Sequence, residues 1–157
     1  MDYCAREDVI RWYGGTEANV RMHFDERLWD TPLTSFTIDG LTFDIPTTLL
    51  LRIDATITTA SSRLDSAILQ AYMARPTDIP AHLRHAAAKI AAHDACADDG
   101  VLSDRIRRGA EDAKEYFAMI AAKTLDLGIT TPRPNYRAPA LQVVTIGGRS
   151  RTFGGCC

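Results

Sequence analysis

The segment from Thr47 to Arg75 contains neither proline nor glycine, and it is the longest part of the chain that can form one uninterrupted helix. Its apolar residues recur at alternating steps of three and four, namely Leu50, Ile53, Ile57, Ala60, Leu64, Ala67 and Ala71. This spacing predicts an amphipathic helix of about 26 residues, roughly 40 Å long. The β-branched run Thr56-Ile57-Thr58-Thr59 disfavours helix, so the rod is expected to be weakest there, at a bend or a short strand.

Two more helices are predicted after Pro76, which ends the first. One runs from about Pro80 to Asp98. The residues predicted to face the core are Leu83, Ala87, Ile90 and Ala91. The other is capped by Ser103, ends at Gly128 and repeats apolar residues at Ile106, Ala110, Ala113, Phe117, Ile120 and Leu127. Its solvent side is predicted to carry opposite-charge pairs four residues apart, namely Asp104 with Arg108, Arg107 with Glu111, and Arg108 with Asp112.

The N-terminal third is predicted to hold two short helices and a hairpin. Ala5 to Tyr13 forms the first helix, with Val9, Ile10 and Tyr13 on one face, ended by Gly14-Gly15. Thr16 caps the second, which ends near Asp30-Thr31-Pro32 and carries Val20, Phe24 and Leu28. Between Pro32 and Pro46 the apolar period falls to two around Asp39-Gly40, a dipeptide that supplies the positive φ angles of a type I′ hairpin turn.

These elements predict a mainly α chain, a small bundle of long antiparallel helices with an inserted β-hairpin and an extended C-terminal tail. Residues 1–129 form the helical domain, with the hairpin inserted at about 33–45. Residues 130–157 form the tail, because its prolines and glycines prevent a core of its own. Leu141 to Ile146 reads as one strand that needs a partner, either this chain's hairpin or an edge on another molecule.

Net charge and composition argue against some classes of partner. The 157 residues carry a net charge of -2, which argues against a general grip on nucleic acid or an anionic membrane, although Arg105-Arg107-Arg108 forms a local basic patch. The sequence has no apolar run of about 20 residues and no signal-peptide pattern at its start, so synthesis in the cytoplasm and no membrane partner are expected. Cys4, Cys96, Cys156 and Cys157 are interpreted as reduced thiols.

Candidate chemistry is sparse. His82, His85, His93 and Cys96 share one predicted helix, but no second ligand-bearing helix accompanies them, so neither metal nor cofactor is predicted. The carboxylates of Asp54, Asp65, Asp94, Asp98 and Asp99 are interpreted as solvated surface. Walker A, G-x-S-x-G, H-E-x-x-H and G-x-G-x-x-G sequences are all absent. The chain is therefore not expected to be an enzyme, and its aromatic residues are expected mainly in the core.

Three segments carry a resemblance to a known family. They are Tyr3-Cys4-Ala5-Arg6-Glu7-Asp8-Val9-Ile10-Arg11-Trp12-Tyr13-Gly14, the run from Ala60 to Leu69 followed by Ile79-Pro80-Ala81-His82-Leu83-Arg84, and Gly148-Arg149-Ser150-Arg151-Thr152-Phe153. In these segments the chain resembles small Mu-like phage and prophage proteins described as head-tail adaptor or head-completion proteins. The Thr34 to Asp44 hairpin and the Gly154-Gly155-Cys156-Cys157 end depart from that family's pattern.

The resemblance implies a structural adaptor that forms a ring, expected to be twelve-fold, beneath the portal at the neck of the virion. Its implied partners are the portal protein, neighbouring copies of itself, and a tail-side stopper or tail terminator protein. Packaged DNA would pass through the channel without specific binding. The cluster Arg149, Arg151 and Phe153 is predicted to dock onto the portal, because a charged and aromatic cluster has little structural use in a segment that cannot fold alone.

Two other functions remain open on the sequence. A small helical DNA-binding or regulatory protein would need a basic recognition helix and salt-sensitive binding. A bundle enzyme or metal protein would need a bound metal.

Overall fold

The structure, a computed structural model, describes residues 2–99, 102–125, 127 and 129. Their secondary structure is mainly helical with one two-stranded antiparallel sheet, as the sequence predicts. The elements in chain order are α1 (Arg6–Tyr13), α2 (Glu17–Arg21), a 3₁₀ turn (Glu26–Asp30), β1 (Leu33–Ile38), β2 (Leu41–Pro46), α3 (Thr47–Tyr72), α4 (Ala81–Cys96), a second 3₁₀ turn (Ala97–Asp99) and α5 (Asp104–Ala121).

Helix α4 is the centre of the bundle and packs against α1, α3 and α5. Its small side chains allow these close approaches, and the buried ones are Ala86, Ala87, Ala88, Ala91, Ala92 and Ala95. Ion pairs join α3 to the end of α4 in reverse order, since Arg52 contacts Asp99 and Arg63 contacts Asp94. The two helices are therefore antiparallel. The apolar residues predicted to face inward on α4 and α5 are all buried.

Helix α3 continues unbroken through the β-branched run, so a short strand there is ruled out. The threonine hydroxyls donate to carbonyl oxygens of the preceding turn, as Thr58 does to Asp54 at 3.1 Å and Thr59 to Ala55 at 2.9 Å. Such bonds satisfy the side chains within the helix. Six of the seven residues in the predicted apolar stripe are buried, and Ala67 is half-buried.

The predicted second helix is wrong beyond Arg21. Helix α2 ends there, and Glu26–Asp30 forms a separate 3₁₀ turn. The cause is Asp25, whose backbone is extended and whose carboxylate accepts a bond from the N–H of Arg27 at 3.0 Å. An aspartate that caps a new turn in this way starts an element rather than continuing one. The interruption lets Phe24 turn into the core, edge-on to Tyr13 with ring centroids 5.1 Å apart.

Helix α5 also ends earlier than predicted, at Ala121 instead of beside Gly128. Lys123 adopts a left-handed backbone with φ of 58°, and the next N–H, of Thr124, bonds back to Met119 at 3.0 Å. This closes the helix without glycine. None of the three predicted pairs four residues apart forms in the described chain. Arg107 instead leans towards the helix N-terminus and pairs with Asp104 at 2.7 Å.

The hairpin matches its prediction. Strands β1 and β2 pair from Leu33 with Pro46 to Ile38 with Leu41, and Asp39 and Gly40 have φ of 49° and 80°. Both angles are positive, as a type I′ turn requires. Arg11 of α1 donates two hydrogen bonds to the Asp39 carboxylate in the turn, at 3.0 and 2.6 Å. The hairpin is thus tied to the bundle at its tip as well as through β2, which packs on α3.

Within the described residues, no helix has the length and apolar character that crossing a bilayer requires.

Candidate interaction surface

The predicted docking residues Arg149, Arg151 and Phe153 lie outside the described residues, as does the whole predicted tail. The described part of the chain nevertheless offers a concave surface, where α4 is exposed between α1 and α5. Two adjoining clefts of about 410 and 330 Å³ share His85 and Lys89 at their border. We call this surface the Trp12 groove, after the indole that lines its larger cleft.

Two cations lie close to the Trp12 ring. The Lys89 ammonium is 5.2 Å from the ring centroid and the Arg105 guanidinium is 4.9 Å from it, both within the range of cation–π attraction. The indole also lies against Gly109 of α5, where an added Cβ would come within 2.5 Å of the Trp12 Cζ2 atom. Only glycine at this position leaves room for the indole, a role that spacing along the sequence does not indicate.

The other cleft of the groove has an aromatic wall. Tyr116 of α5 meets His82 of α4 edge-on, with ring centroids 5.9 Å apart. Asp112 also lines this cleft, and Asp8 and Arg11 line the larger one. The groove therefore combines aromatic faces with charges of both signs, with Lys89 at its middle. Such a surface has the chemistry to bind apolar and anionic side chains.

Three buried ring nitrogens have no hydrogen-bond partner in the described part of the chain: Trp12 Nε1, His23 Nδ1 and Trp29 Nε1. Burial, together with the charge of Arg105, lowers the pKa of His23. His23 is therefore neutral at pH 7, and its ring packs on Tyr13 with centroids 5.3 Å apart. Arg21 covers the Trp29 ring at 5.1 Å.

The carboxylates interpreted as solvated surface are mostly structural, which corrects the sequence analysis. Asp54 accepts two bonds from Arg6, one from Nε at 2.6 Å and one from Nη2 at 2.5 Å. Asp65 receives the Tyr3 hydroxyl at 2.7 Å and pairs with Arg75. Asp94 and Asp99 pair with the arginines of α3 noted above, and only Asp98 is exposed as expected. These bonds join residues 10 to 62 positions apart, a separation that spacing along one helix cannot predict.

Bonding and burial change the pKa values of these groups. The hydrogen bond from Arg6 lowers the pKa of Asp54. Burial tends to raise the pKa of Asp65, but the bonds from Tyr3 and Arg75 outweigh it and the pKa is lowered. Burial, with help from Asp65, raises the pKa of Tyr3 well above its usual range. Tyr3 thus stays a hydroxyl donor that fixes the start of the chain to α3.

The two described cysteines are free and buried, in agreement with their interpretation as thiols. Burial raises the pKa of Cys4 to about 12 and that of Cys96 to about 11. Such thiols are poor nucleophiles at neutral pH.

His82, His85, His93 and Cys96 lie on α4 as predicted, but they do not converge. His82 and His85 are exposed along the Trp12 groove, whereas His93 contacts Asp94 at 3.0 Å and the Cys96 thiol faces the Ala92 carbonyl at 3.3 Å. Across the residues that the structure describes, no three histidine, cysteine, aspartate or glutamate side chains group closely enough to hold a metal ion.

The family described as bacteriophage Mu, Gp36 matches residues 3–145. The chain belongs to this family. It is therefore a bacteriophage protein. No curated protein and no solved structure matches it.

The family match covers every helix and strand described above, from the Tyr3 anchor to the end of α5. It also continues past residue 129 into the predicted tail and stops before Gly147. Arg149, Arg151 and Phe153 therefore lie beyond the matched segment, and their predicted role rests on the sequence alone.

Proposed function

We propose that this protein is a structural head-tail adaptor, which forms a ring beneath the portal and joins the DNA-filled head to the neck and tail. The observation that carries the proposal is the family match, because it spans the whole helical body of a chain that resembles adaptor proteins in the same region. On this proposal the protein acts in the neck of the virion and is not an enzyme.

The helical body suits such a role because its parts are fixed to one another. The N-terminus is held to α3 by the Tyr3 N–H bond to Ser61 at 3.0 Å, and α1 is held by Arg6. The hairpin is held at its tip by Arg11. A body joined at so many separate points can transmit a docking geometry from one partner to the next.

The Trp12 groove supplies a described surface for protein contact. Aromatic residues and arginines dominate the binding energy of many interfaces, and here Lys89 and Arg105 both lie over an indole ring. Asp8 and Asp112 add negative charge to the same groove. Mixed charge with aromatic faces suits a protein partner better than a polyanion, whose phosphates would meet these carboxylates.

The contacts of the basic patch weigh against the DNA-binding alternative. Arg105 covers the Trp12 ring, and Arg107 is paired with Asp104. Two of the three arginines at the start of α5 are thus already engaged. If the protein were instead a DNA-binding regulator, purified protein would bind duplex DNA with an affinity that falls steeply with salt.

The adaptor proposal is tested with purified portal rings and three forms of the protein: the full chain, a form lacking residues 147–157, and a Cys156→Ser/Cys157→Ser control. We expect the full chain and the control to decorate portal rings in electron micrographs, and the truncated form to leave them bare. Circular dichroism should give all three the same melting temperature. In phage production the truncated form should yield DNA-filled heads that leak or fail to join tails.

Replacing Arg149, Arg151 and Phe153 together by alanine should reproduce the truncation, since these are the residues proposed to dock. Full portal affinity of the truncated form would refute the docking role, and so would its unfolding. Failure of the full chain to bind any portal would count against the adaptor function itself.

A further inference from the structure

Charge is divided unevenly along the chain. All 20 aspartates and glutamates precede residue 127, whereas residues 130–157 contain four arginines and no acidic residue. Residues 1–129 therefore carry 14 lysines and arginines against 20 acidic residues, a net charge of -6, and residues 130–157 carry +4. The first two of these arginines, Arg133 and Arg137, follow soon after the last described residue. An acidic body and a basic continuation of the same chain attract each other.

The described residues after α5 show which way the chain leaves the bundle. The carbonyl of Leu125 accepts a hydrogen bond from the Tyr72 hydroxyl at the end of α3. Leu127 and Ile129 then line a cleft of about 330 Å³, together with residues 74–78 and Pro80. We call it the loop cleft. Leu127 is 9% exposed and Ile129 packs on the core, so the chain is still held to the body where it reaches the loop between α3 and α4.

A second and larger cleft adjoins the loop cleft. Its volume is about 640 Å³, and it is lined by Ile79, whose neighbour Pro80 lines the loop cleft. Its other walls are the start of the chain and the first turns of α1, including Asp2, Glu7 and Asp8. We call it the N-terminal cleft. A chain that continued past Ile129 across the loop would enter it.

Several carboxylates along this route have no partner among the described residues. Asp8 is used by the start of α1, where it accepts the Ala5 N–H at 2.9 Å. Asp2 and Glu7 of the N-terminal cleft, in contrast, form no ion pair within the described part of the chain. The same holds for Asp78 of the loop cleft. These three acidic side chains can therefore each accept a cation.

The cations of the N-terminal cleft do not offset its carboxylates. Two arginines line it, and Arg11 is already paired in the hairpin turn, so only Arg84 is left. The Cys4 thiol in the same cleft responds to this balance. Burial is the main cause of its raised pKa, Asp8 and Asp2 raise that pKa further, and Arg84 lowers it by less. The cleft is therefore negative, which favours a basic occupant over a neutral or acidic one.

We infer that residues 130–137 dock on the body of their own copy, crossing the loop cleft and entering the N-terminal cleft. The arginines and the carboxylates come in the same order along this route. Arg133 reaches Asp78 first, and Arg137 then pairs with Glu7 and Asp2. Prolines at 132 and 134 favour an extended backbone before them, and eight residues of such backbone advance about 25 Å from Ile129, enough to pass from one adjoining cleft into the next.

The extent of the family match agrees with this docking. The match runs from residue 3 to residue 145, so residues 130–137 belong to the same matched unit as the helical body. The inference does not depend on the adaptor function, because the residues proposed to bind the portal begin at Arg149. Its consequence is that the portal-docking residues extend from a fixed point beside α1 instead of from the end of α5.

The first test is limited proteolysis of the native full chain with trypsin, which cleaves after arginine. Each cleavage rate is divided by the rate at the same bond in a synthetic peptide of residues 130–157. Cleavage after Arg137 should then be at least about tenfold slower than cleavage after Arg149, because a docked segment must be released before it is cut. Asp2→Asn combined with Glu7→Gln should raise the Arg137 rate towards that of Arg149.

The matched control removes two carboxylates elsewhere. Glu111→Gln combined with Glu115→Gln changes the net charge equally but acts on the exposed side of α5, so it should leave the ratio of the two rates unchanged. Circular dichroism should show a folded body in both double variants, since all four positions are at the surface.

The second test asks whether the segment docks on its own copy. In the Cys156→Ser/Cys157→Ser protein the two remaining cysteines are buried. Ala5→Cys and Ala138→Cys then place one thiol in the N-terminal cleft and one beside Arg137, and they leave the proposed ion pairs intact. A short bifunctional maleimide should join these thiols within one chain in dilute solution, as measured by mass spectrometry. Ala18→Cys on the exposed side of α2, combined with Ala138→Cys, should not be joined.

Cleavage after Arg137 as fast as cleavage after Arg149 would overturn the inference and leave these arginines for another molecule. Slow cleavage that persists in the Asp2→Asn/Glu7→Gln variant would overturn the choice of cleft. A cross-link formed only between chains would overturn docking on the same copy, in favour of a neighbouring one. Equal cross-linking from Ala18→Cys would show random collision and overturn it as well. Portal binding by the Asp2→Asn/Glu7→Gln variant should be unchanged, so the portal experiment is decided separately.

Discussion

Helices α3 and α5 both bury one face in the same core, yet their outer faces have opposite chemistry. The outer face of α5 carries exposed charges throughout, at Asp104, Arg105, Arg107, Arg108, Glu111, Asp112, Lys114 and Glu115. The outer face of α3 carries none along its centre, and its flanking charges are paired with neighbouring elements. The comparison shows that an amphipathic pattern identifies the buried side of a helix, whereas only the chemistry of the other side tells whether it is suited to water or to a partner.

The largest effect is expected on the buried side of α3. Replacing Leu64 by alanine should lower the free energy of unfolding by about 2 to 5 kcal/mol, and Ile57→Ala should act similarly, because each leaves a cavity in a packed core. Chemical denaturation in dilute solution measures both. Leu51→Ala is the matched control on the outer face and should cost no more than about 0.5 kcal/mol.

If Leu51→Ala and Leu64→Ala lowered the free energy of unfolding equally, the two sides of α3 would not differ in burial as described. Losses under about 0.5 kcal/mol at both Leu64 and Ile57 would mean that the predicted apolar stripe does not hold the bundle together.

The next effect concerns Gly109, the residue of α5 against which the edge of the Trp12 indole packs. Gly109→Ala should destabilise the protein by about 1 to 3 kcal/mol, since the new Cβ would clash with the indole ring. The sign of the change in unfolding free energy distinguishes the two effects, because an alanine in place of a helical glycine ordinarily stabilises a helix by about 1 kcal/mol. Thermal and chemical denaturation both measure it.

A double-mutant cycle provides the control. In a Trp12→Ala background the clash is absent, so Gly109→Ala should become neutral or stabilising. If Gly109→Ala destabilises equally in both backgrounds, the contact with Trp12 is not the reason for glycine at this position.

The sequence predicted what depends on local spacing. The stripes of α3, α4 and α5 and the Asp39-Gly40 turn were all found in their predicted places, because helical period and turn geometry are properties of neighbouring residues. The absence of charge along the centre of the outer face of α3 also follows from the sequence, from the positions opposite the buried stripe.

What the sequence did not predict depends on contacts between distant residues or on caps that glycine does not mark. The pairs formed by Arg6 with Asp54 and by Tyr3 with Asp65 join segments 48 and 62 residues apart. Lys123 ends α5 in a left-handed conformation, and a lysine in the sequence does not indicate such a backbone. The Trp12 groove likewise needs α1, α4 and α5 to be assembled before its residues come together.

The smallest expected effect tests whether the paired charges that flank the outer face of α3 stabilise the fold. Asp65 has a pKa below its usual value, so its ion pair stabilises fully above the unfolded pKa of about 3.9, and the contribution is lost as pH falls through the lower folded pKa. Asp65→Asn should therefore cost about 1 kcal/mol at pH 7, and the gap from the parent protein should close below about pH 4.

The matched comparison is Asp104→Asn at the start of α5, whose partner Arg107 is exposed and whose pair stands in water. That change should have almost no effect at any pH, because exposed pairs contribute little. The decisive quantity is the difference between the two variants in urea denaturation at pH 7 and pH 3. If Asp104→Asn proved as costly as Asp65→Asn, charge pairing would be equally important on both helices. The charge pairs that flank the uncharged centre of α3 would then stabilise the fold no more than those on the solvated face of α5.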